Sequence, residues 1–196
     1  MAKRITFQFE DDLDYQMQAI HSTVELFRGL SRHVDGIYRP NRIRKVGEGD
    51  PVRNNDIVVG SRLLENLRKV QLSNDLFADN VLADGNNFTI EMETGTGKTY
   101  VYLRTILELY QEYGFRKFMI VVPSIAIRKG VEKSMEQLTD HFKRLYNIDI
   151  GKHSFIYDSN NPKQISSKLV ESNDLSICVL NIQAFNKDTN KIRKEY

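Results

Sequence analysis

Phe88-Thr89-Ile90-Glu91-Met92-Glu93-Thr94-Gly95-Thr96-Gly97-Lys98-Thr99 is the stretch whose reading decides the fold. Phe88 to Met92 reads as a buried strand, and Val101, Leu103, Ile106, Leu107 and Tyr110 continue as one face of a helix. Between them Thr94, Gly95, Thr96, Gly97, Lys98 and Thr99 form a loop suited to holding phosphate. Its glycines let the backbone curl so that successive N–H groups converge, and the positive end of the following helix adds to them. Lys98 is placed to reach the β- and γ-phosphates of a nucleotide, and the Thr99 hydroxyl to sit on magnesium, which makes these two the candidate catalytic residues. The usual pattern has glycine where this chain has Met92. An apolar residue there lengthens the strand by one position and marks a subtype.

Composition narrows the class without naming a partner. The 196 residues are 40% hydrophobic and 28% charged, enough for one sizeable core, and 28 basic against 26 acidic residues leave a net charge of +2. That balance neither demands nor excludes nucleic acid. The single cysteine, Cys178, lies in the apolar run Leu175–Leu180 and reads as a small buried side chain; with no disulfide framework, a cytoplasmic location is expected. No apolar run approaches the roughly 20 residues of a membrane span, so no membrane partner is expected. The four histidines show no metal-ligand spacing with one another or with Cys178.

Outward from the loop, strand and helix signals alternate. Ile5, Phe7 and Phe9 alternate with polar residues as in an edge strand. Asp11, Asp12 and Asp14 offer N-cap chemistry to a helix carrying Tyr15, Ala19, Ile20, Val24 and Phe27, which Gly29 stops. Gln16 lies on that helix, and its amide has the donor and acceptor needed to grip N6 and N7 of adenine; the plainer reading is a surface glutamine. Residues 31–60 are polar, with four glycines and two prolines, and read as an insertion or a mobile loop. Within them Arg39, Arg42, Arg44 and Lys45 form either a solvated loop or a phosphate-tracking cluster. Ser61 is placed to cap a helix bearing Leu63, Leu64, Leu67 and Val70.

Beyond Gly114, Phe118–Val122 is apolar on both faces, as in a strand covered on both sides. A helix capped by Ser124 follows, then strands near Ser154–Tyr157 and Leu175–Leu180 separated by a helix opening at Pro162. The expected architecture is α/β: a parallel sheet flanked by helices, one P-loop (RecA-like) domain over residues 1–196 with the polar insertion near 31–60. Asp158 is the best internal candidate for a second magnesium acid, but it stands alone. That acid is therefore expected beyond Tyr196, with the domain incomplete at its C-terminus.

Tyr15-Gln16 with Ala19-Ile20 resembles the glutamine motif of superfamily-two helicases, Met92–Thr99 resembles their motif I, and Val121-Val122-Pro123-Ser124 resembles motif Ia. The wording from Phe9 to Gln16, Met92 to Thr99, Ile120 to Arg128 and Asn181 to Lys187 is similar to the N-terminal region of the restriction (Res) subunit of type III restriction–modification enzymes. The resemblance implies an ATP- and Mg-dependent motor acting on double-stranded DNA, joined to an endonuclease and partnered by a modification methyltransferase subunit. It implies Gln16 on adenine, Thr94 to Thr99 on phosphates and magnesium, and Pro123, Ser124, Asn181, Gln183 and Phe185 near the DNA backbone. A generic superfamily-two DNA or RNA helicase, a type I restriction motor and a nucleotide-binding module without turnover are the alternatives. With the acid expected elsewhere, the chain alone is expected to hydrolyse ATP poorly.

Overall fold

The computed structural model describes residues 10, 12–34, 37–40, 57–58, 61–79, 81–82, 86–159, 161 and 163–186. The expected strand at Ile5–Phe9, the cations Arg42, Arg44 and Lys45, and the tail from Lys187 lie outside them. The chain divides into two compact units, one formed by Asp12–Phe115 and the other by Met1–Asp11 with Arg116–Tyr196, each as far as it is described.

The first unit is built on three helices, α1 (Asp14–Glu25), α2 (Ser61–Ser73) and α3 (Lys98–Tyr113). The apolar spacing read from the sequence places Ile20 and Val24 of α1 and Leu103 and Leu107 of α3 in the core, where the two helices pack together. Phe27 closes the far end of the pair, edge-on to Phe115 at 5.0 Å and tilted against Tyr113 at 6.1 Å. The expected aspartate cap on α1 is not made: Leu13 occupies the N-cap with no side-chain hydrogen bond, and Asp14 is already in the first turn. Likewise α2 begins at Ser61 itself.

Within the segment read as a polar insertion, the described backbone forms a small antiparallel sheet. Its strands are β1 (Ser31–Val34), β2 (Ile37–Pro40) and β3 (Ile57–Val58), in the order β2-β1-β3, with Ser31 opposite both Pro40 and Val58. Pairing of this kind needs only backbone groups in register, so the lack of an apolar pattern did not forbid it. The expected strand at Phe88–Met92 is also absent, since residues 87–93 are irregular and Ile90 is 48% exposed. No described strand pairs with this segment in a ladder.

The second unit is the α/β sandwich that the alternating signals predicted. Strands β4 (Lys117–Val122), β5 (Ser154–Ile156) and β6 (Ser176–Asn181) form a parallel sheet in the order β4-β6-β5. Lys117 pairs with Ser176 through to Val122 with Asn181, and Ser154 pairs with Ile177 through to Ile156 with Val179. β6, central and last in sequence, is the strand covered on both faces: Cys178 and Leu180 join Phe155, Tyr157, Ile165, Leu169 and Ala184 in one apolar cluster. Alternation sends Ile177 and Val179, equally buried, to the opposite face. The two-sided coverage expected of Phe118–Val122 is not found among the described residues, where β4 is at an edge of the sheet with Met119 47% and Val121 45% exposed.

Helix α4 (Ile125–Tyr146) packs against β4 and β6 through a stripe that includes Val131, Met135, Leu138 and Phe142. Ser124 caps it as expected, its Oγ accepting from Ile127 N at 3.2 Å. A short helix α5 (Ile150–His153) precedes β5. The helix expected from Pro162 is three residues of α6 (Lys163–Ile165) running into a π-helical turn over Ser166–Glu171, and α7 (Gln183–Asn186) follows β6. Burial pushes the Cys178 thiol up to about 12, so it remains a neutral apolar filler.

Asn66, buried on α2, holds the first unit's corner: its Nδ2 donates to Leu26 O at 2.9 Å and Arg28 O at 2.8 Å, just past the end of α1. Asn66→Ala removes the donor that both carbonyls share. Urea unfolding should show a loss of about 1–3 kcal/mol, against less than about 0.5 for the exposed neighbour change Lys69→Ala.

Candidate functional site

The loop ahead of α3 is shaped by side chains. Gly95 and Gly97 have φ of +84° and +83°, the left-handed region that side chains disfavour. Thr96 Oγ1 and Lys98 Nζ both donate to the carbonyl oxygen of Glu93, at 2.7 and 2.8 Å, which draws the start of the loop onto its end. The third tie comes from 80 residues away: Gln16 Nε2 donates to Thr96 O at 2.9 Å. A Cβ on Gly97 would meet Gln16 Nε2 at 2.5 Å, so a side chain there would displace the amide at the tip of Gln16 as well as strain the backbone.

Gln16 thus faces the loop, 7% exposed, and not the solvent. The signal was present in the sequence, since Gln16, Ile20 and Val24 fall at four-residue intervals and all three are buried along one stripe of α1. After bonding Thr96, its amide keeps one N–H and its carbonyl oxygen. The role of the Glu93 carbonyl was not legible, because a backbone acceptor leaves no mark on residue type.

The arrangement fits a nucleotide phosphate. A Cβ built on Gly95 meets nothing within 4 Å, so the loop opens onto free space there. Lys98 spends one of its three donors on Glu93 O, leaving two for an anion. The first turn of α3 has no acidic residue to compete, and its leading N–H groups lack intrahelical partners. Thr99, one residue into the helix, supplies a hydroxyl of the kind magnesium accepts. Among the described residues no cluster of three or more His, Cys, Asp or Glu is placed to hold a metal, and Asp158 lies two residues beyond strand β5. Alongside the loop, a cavity of about 1390 Å³ lies between α1, α2 and residues 86–93, reaching Glu93 and Thr96.

In the second unit, four of the five residues expected near DNA gather at the C-terminal ends of β4 and β6. Asn181 is in register with Val122, Ile182 N donates to Val122 O at 2.9 Å, and Gln183 Nε2 donates to Pro123 O at 3.3 Å. Ser124 caps α4 next to Pro123, and its hydroxyl keeps its own proton to donate. Asn181 Oδ1 is buried without a hydrogen-bond partner among the described residues. Phe185 lies in α7, two residues beyond Gln183. This is the end of a parallel sheet where ligands characteristically bind.

A parallel sheet flanked by helices, together with a glycine-lysine-threonine loop at a helix N-terminus, defines a P-loop protein of the helicase-like class. A family model described as type III restriction enzyme, res subunit, matches residues 11–196, and the chain belongs to that family. It is 27% identical over 170 residues to the type III restriction-modification enzyme EcoPI Res subunit of Escherichia phage P1, covering 85% of this chain and 17% of that protein. It is 32% identical over 111 residues to the EcoP15I Res subunit of Escherichia coli, covering 55% and 11% of the two chains. With the StyLTI Res subunit of Salmonella typhimurium it shares 46% identity over 65 residues, 32% of this chain and 7% of the other. The chain therefore spans a sixth or less of the length of these relatives.

The close approach of Gln16 to Gly97 gives a two-residue test. Gly97→Ala should cost roughly 1–2 kcal/mol from backbone strain alone, and more from the collision. Adding Gln16→Ala removes the collision but not the strain, so thermal unfolding should show the double variant less damaged than the sum of the singles. Strict additivity would contradict the contact.

Proposed function

We propose that this chain is the ATP-binding part of a type III restriction Res subunit, the motor and endonuclease component of such an enzyme. The observation that carries the reading is the loop itself, with the Glu93 carbonyl gripped by Thr96 and Lys98 while Gly95 faces open space. In this reading Lys98 meets the β- and γ-phosphates, the backbone of Thr94 to Thr99 lines them, and Thr99 holds magnesium. Bound magnesium neutralises charge developing between the β- and γ-phosphates. Gln16 turns its remaining N–H and carbonyl oxygen to adenine while its bond to Thr96 keeps the loop in shape. Both units then belong to one RecA-like motor domain over residues 1–196, with 31–60 inserted into it.

Double-stranded DNA is the proposed track, its backbone passing Pro123, Ser124, Asn181, Gln183 and Phe185. Sequence recognition and methylation belong to a modification methyltransferase partner, and the assembly works in the cytoplasm. No helix among the described residues is long and apolar enough to cross a membrane. We further propose that the 196 residues alone bind ATP without useful turnover. Hydrolysis by this class needs a second magnesium acid and a water-orienting group, and losing an arginine finger alone typically costs about 10³ to 10⁵ in rate.

Lys98→Ala removes the ammonium that meets the phosphates. Calorimetric titration with ADP or ATP should show binding at least about tenfold weaker, or about 1.4 kcal/mol, and unchanged affinity would sink the nucleotide reading.

Duplex DNA should bind only at low salt. Two or three phosphate contacts give a slope of about −2 to −3 in log affinity against log salt. A tight sequence-specific complex in fluorescence anisotropy would contradict recognition by a partner.

A further inference from the structure

We propose that Tyr102 is a positioning residue for Thr99: its phenolic oxygen accepts the Thr99 hydroxyl proton and so turns the Thr99 lone pairs toward magnesium. The inference rests on the nucleotide reading above and adds to it a residue outside the loop motif. Tyr102 follows Thr99 by three positions on α3, which puts both on one face of the helix. Long side chains in a helix lean toward its N-terminus, so the ring covers the turn that carries Thr99. Tyr102 Oη is shielded from solvent and makes no well-formed hydrogen bond among the described residues. Burial raises the phenol's pKa, and hydrogen bonding with the Thr99 side chain acts against that rise.

A poorly satisfied buried hydroxyl needs an explanation, and an acceptor role toward Thr99 is one. A threonine oxygen that gives a lone pair to a cation keeps its O–H, which the cation polarises and which then requires an acceptor. The phenol has free lone pairs at the right helical offset. Groups that orient a metal ligand in this way commonly govern metal affinity by 10- to 100-fold. The plain alternative is that the ring is core packing and its oxygen is merely tolerated.

Tyr102→Phe separates the two, because it keeps the ring and deletes the oxygen. ADP affinity is measured by calorimetry in EDTA and again in magnesium chloride, for the parent chain, Tyr102→Phe, Thr99→Val and the double variant. The expected result is an affinity in EDTA equal to the parent's and a magnesium-dependent gain reduced about tenfold. In the Thr99→Val background Tyr102→Phe should change nothing, and its melting temperature without nucleotide should stay level or rise. A full magnesium gain in Tyr102→Phe overturns the proposal and leaves the nucleotide site standing. So does a loss equal in EDTA and magnesium, or one that persists without the Thr99 hydroxyl. If the parent fails to bind ADP, or Lys98→Ala binds it as well as the parent, the site reading falls and the role of Tyr102 with it.

Discussion

The bond from Gln16 Nε2 to Thr96 O ties the first helix of the chain to a loop 80 residues later, and the shape of the loop depends on it. Residues 87–93 join no ladder, so no sheet fixes the direction from which the chain enters the loop. What fixes it are three side-chain bonds to backbone carbonyls, from Gln16, Thr96 and Lys98. Each is worth about 0.5–1.5 kcal/mol net, somewhat more for the charged Lys98. Gly97 lets α1 come this near, and any side chain there would push the glutamine away. The packing of Ile20 and Val24 against α3 holds the amide at that distance, so burial in the core is converted into loop geometry.

The same bonds keep the lysine in place before a ligand arrives. An unpaired ammonium on a four-carbon stem would sample many rotamers, and fixing it on binding would subtract from affinity. Bonded to the Glu93 carbonyl, Lys98 is already folded back over the loop with two donors to spare. This arrangement costs the ligand little reorganisation, which is the physical sense of preorganisation.

Much of this was legible in the sequence, and what was missed follows a pattern. Helices α1, α3 and α4 could be read because their apolar stripes and the stop at Gly114 are local signals, and the alternation of β4, β5 and β6 with helices gave the parallel sheet. Phe88–Met92 was misread because a strand is defined by its neighbours, and an apolar run alone cannot say whether one is present. For the same reason Met119 and Val121 looked like core yet lie on an edge strand. The sheet of β1, β2 and β3 escaped notice because its pairing is carried by backbone groups. Within the candidate site, residue types identified the loop, but the contact of Gln16 with it emerged only from the fold.

The second unit applies a comparable economy to the residues proposed to face DNA. β6 is buried along its apolar length and ends in the polar Asn181, at the point where the parallel ladder runs out. Ile182 N extends the pairing one step beyond that register, and Gln183 then bonds Pro123 O, so the chain leaving β6 is stitched to the chain leaving β4. Because Ser124 caps α4 immediately after Pro123, the same stitches fix the helix N-terminus relative to Asn181. Groups mounted at the ends of paired strands and a capped helix are held more accurately than groups on a free loop. A backbone-tracking site needs that accuracy, since phosphates carry no sequence information and only their regular spacing can be matched. On the proposed reading the sheet supplies that spacing, and Ser124, Asn181 and Gln183 supply polar side chains at its end.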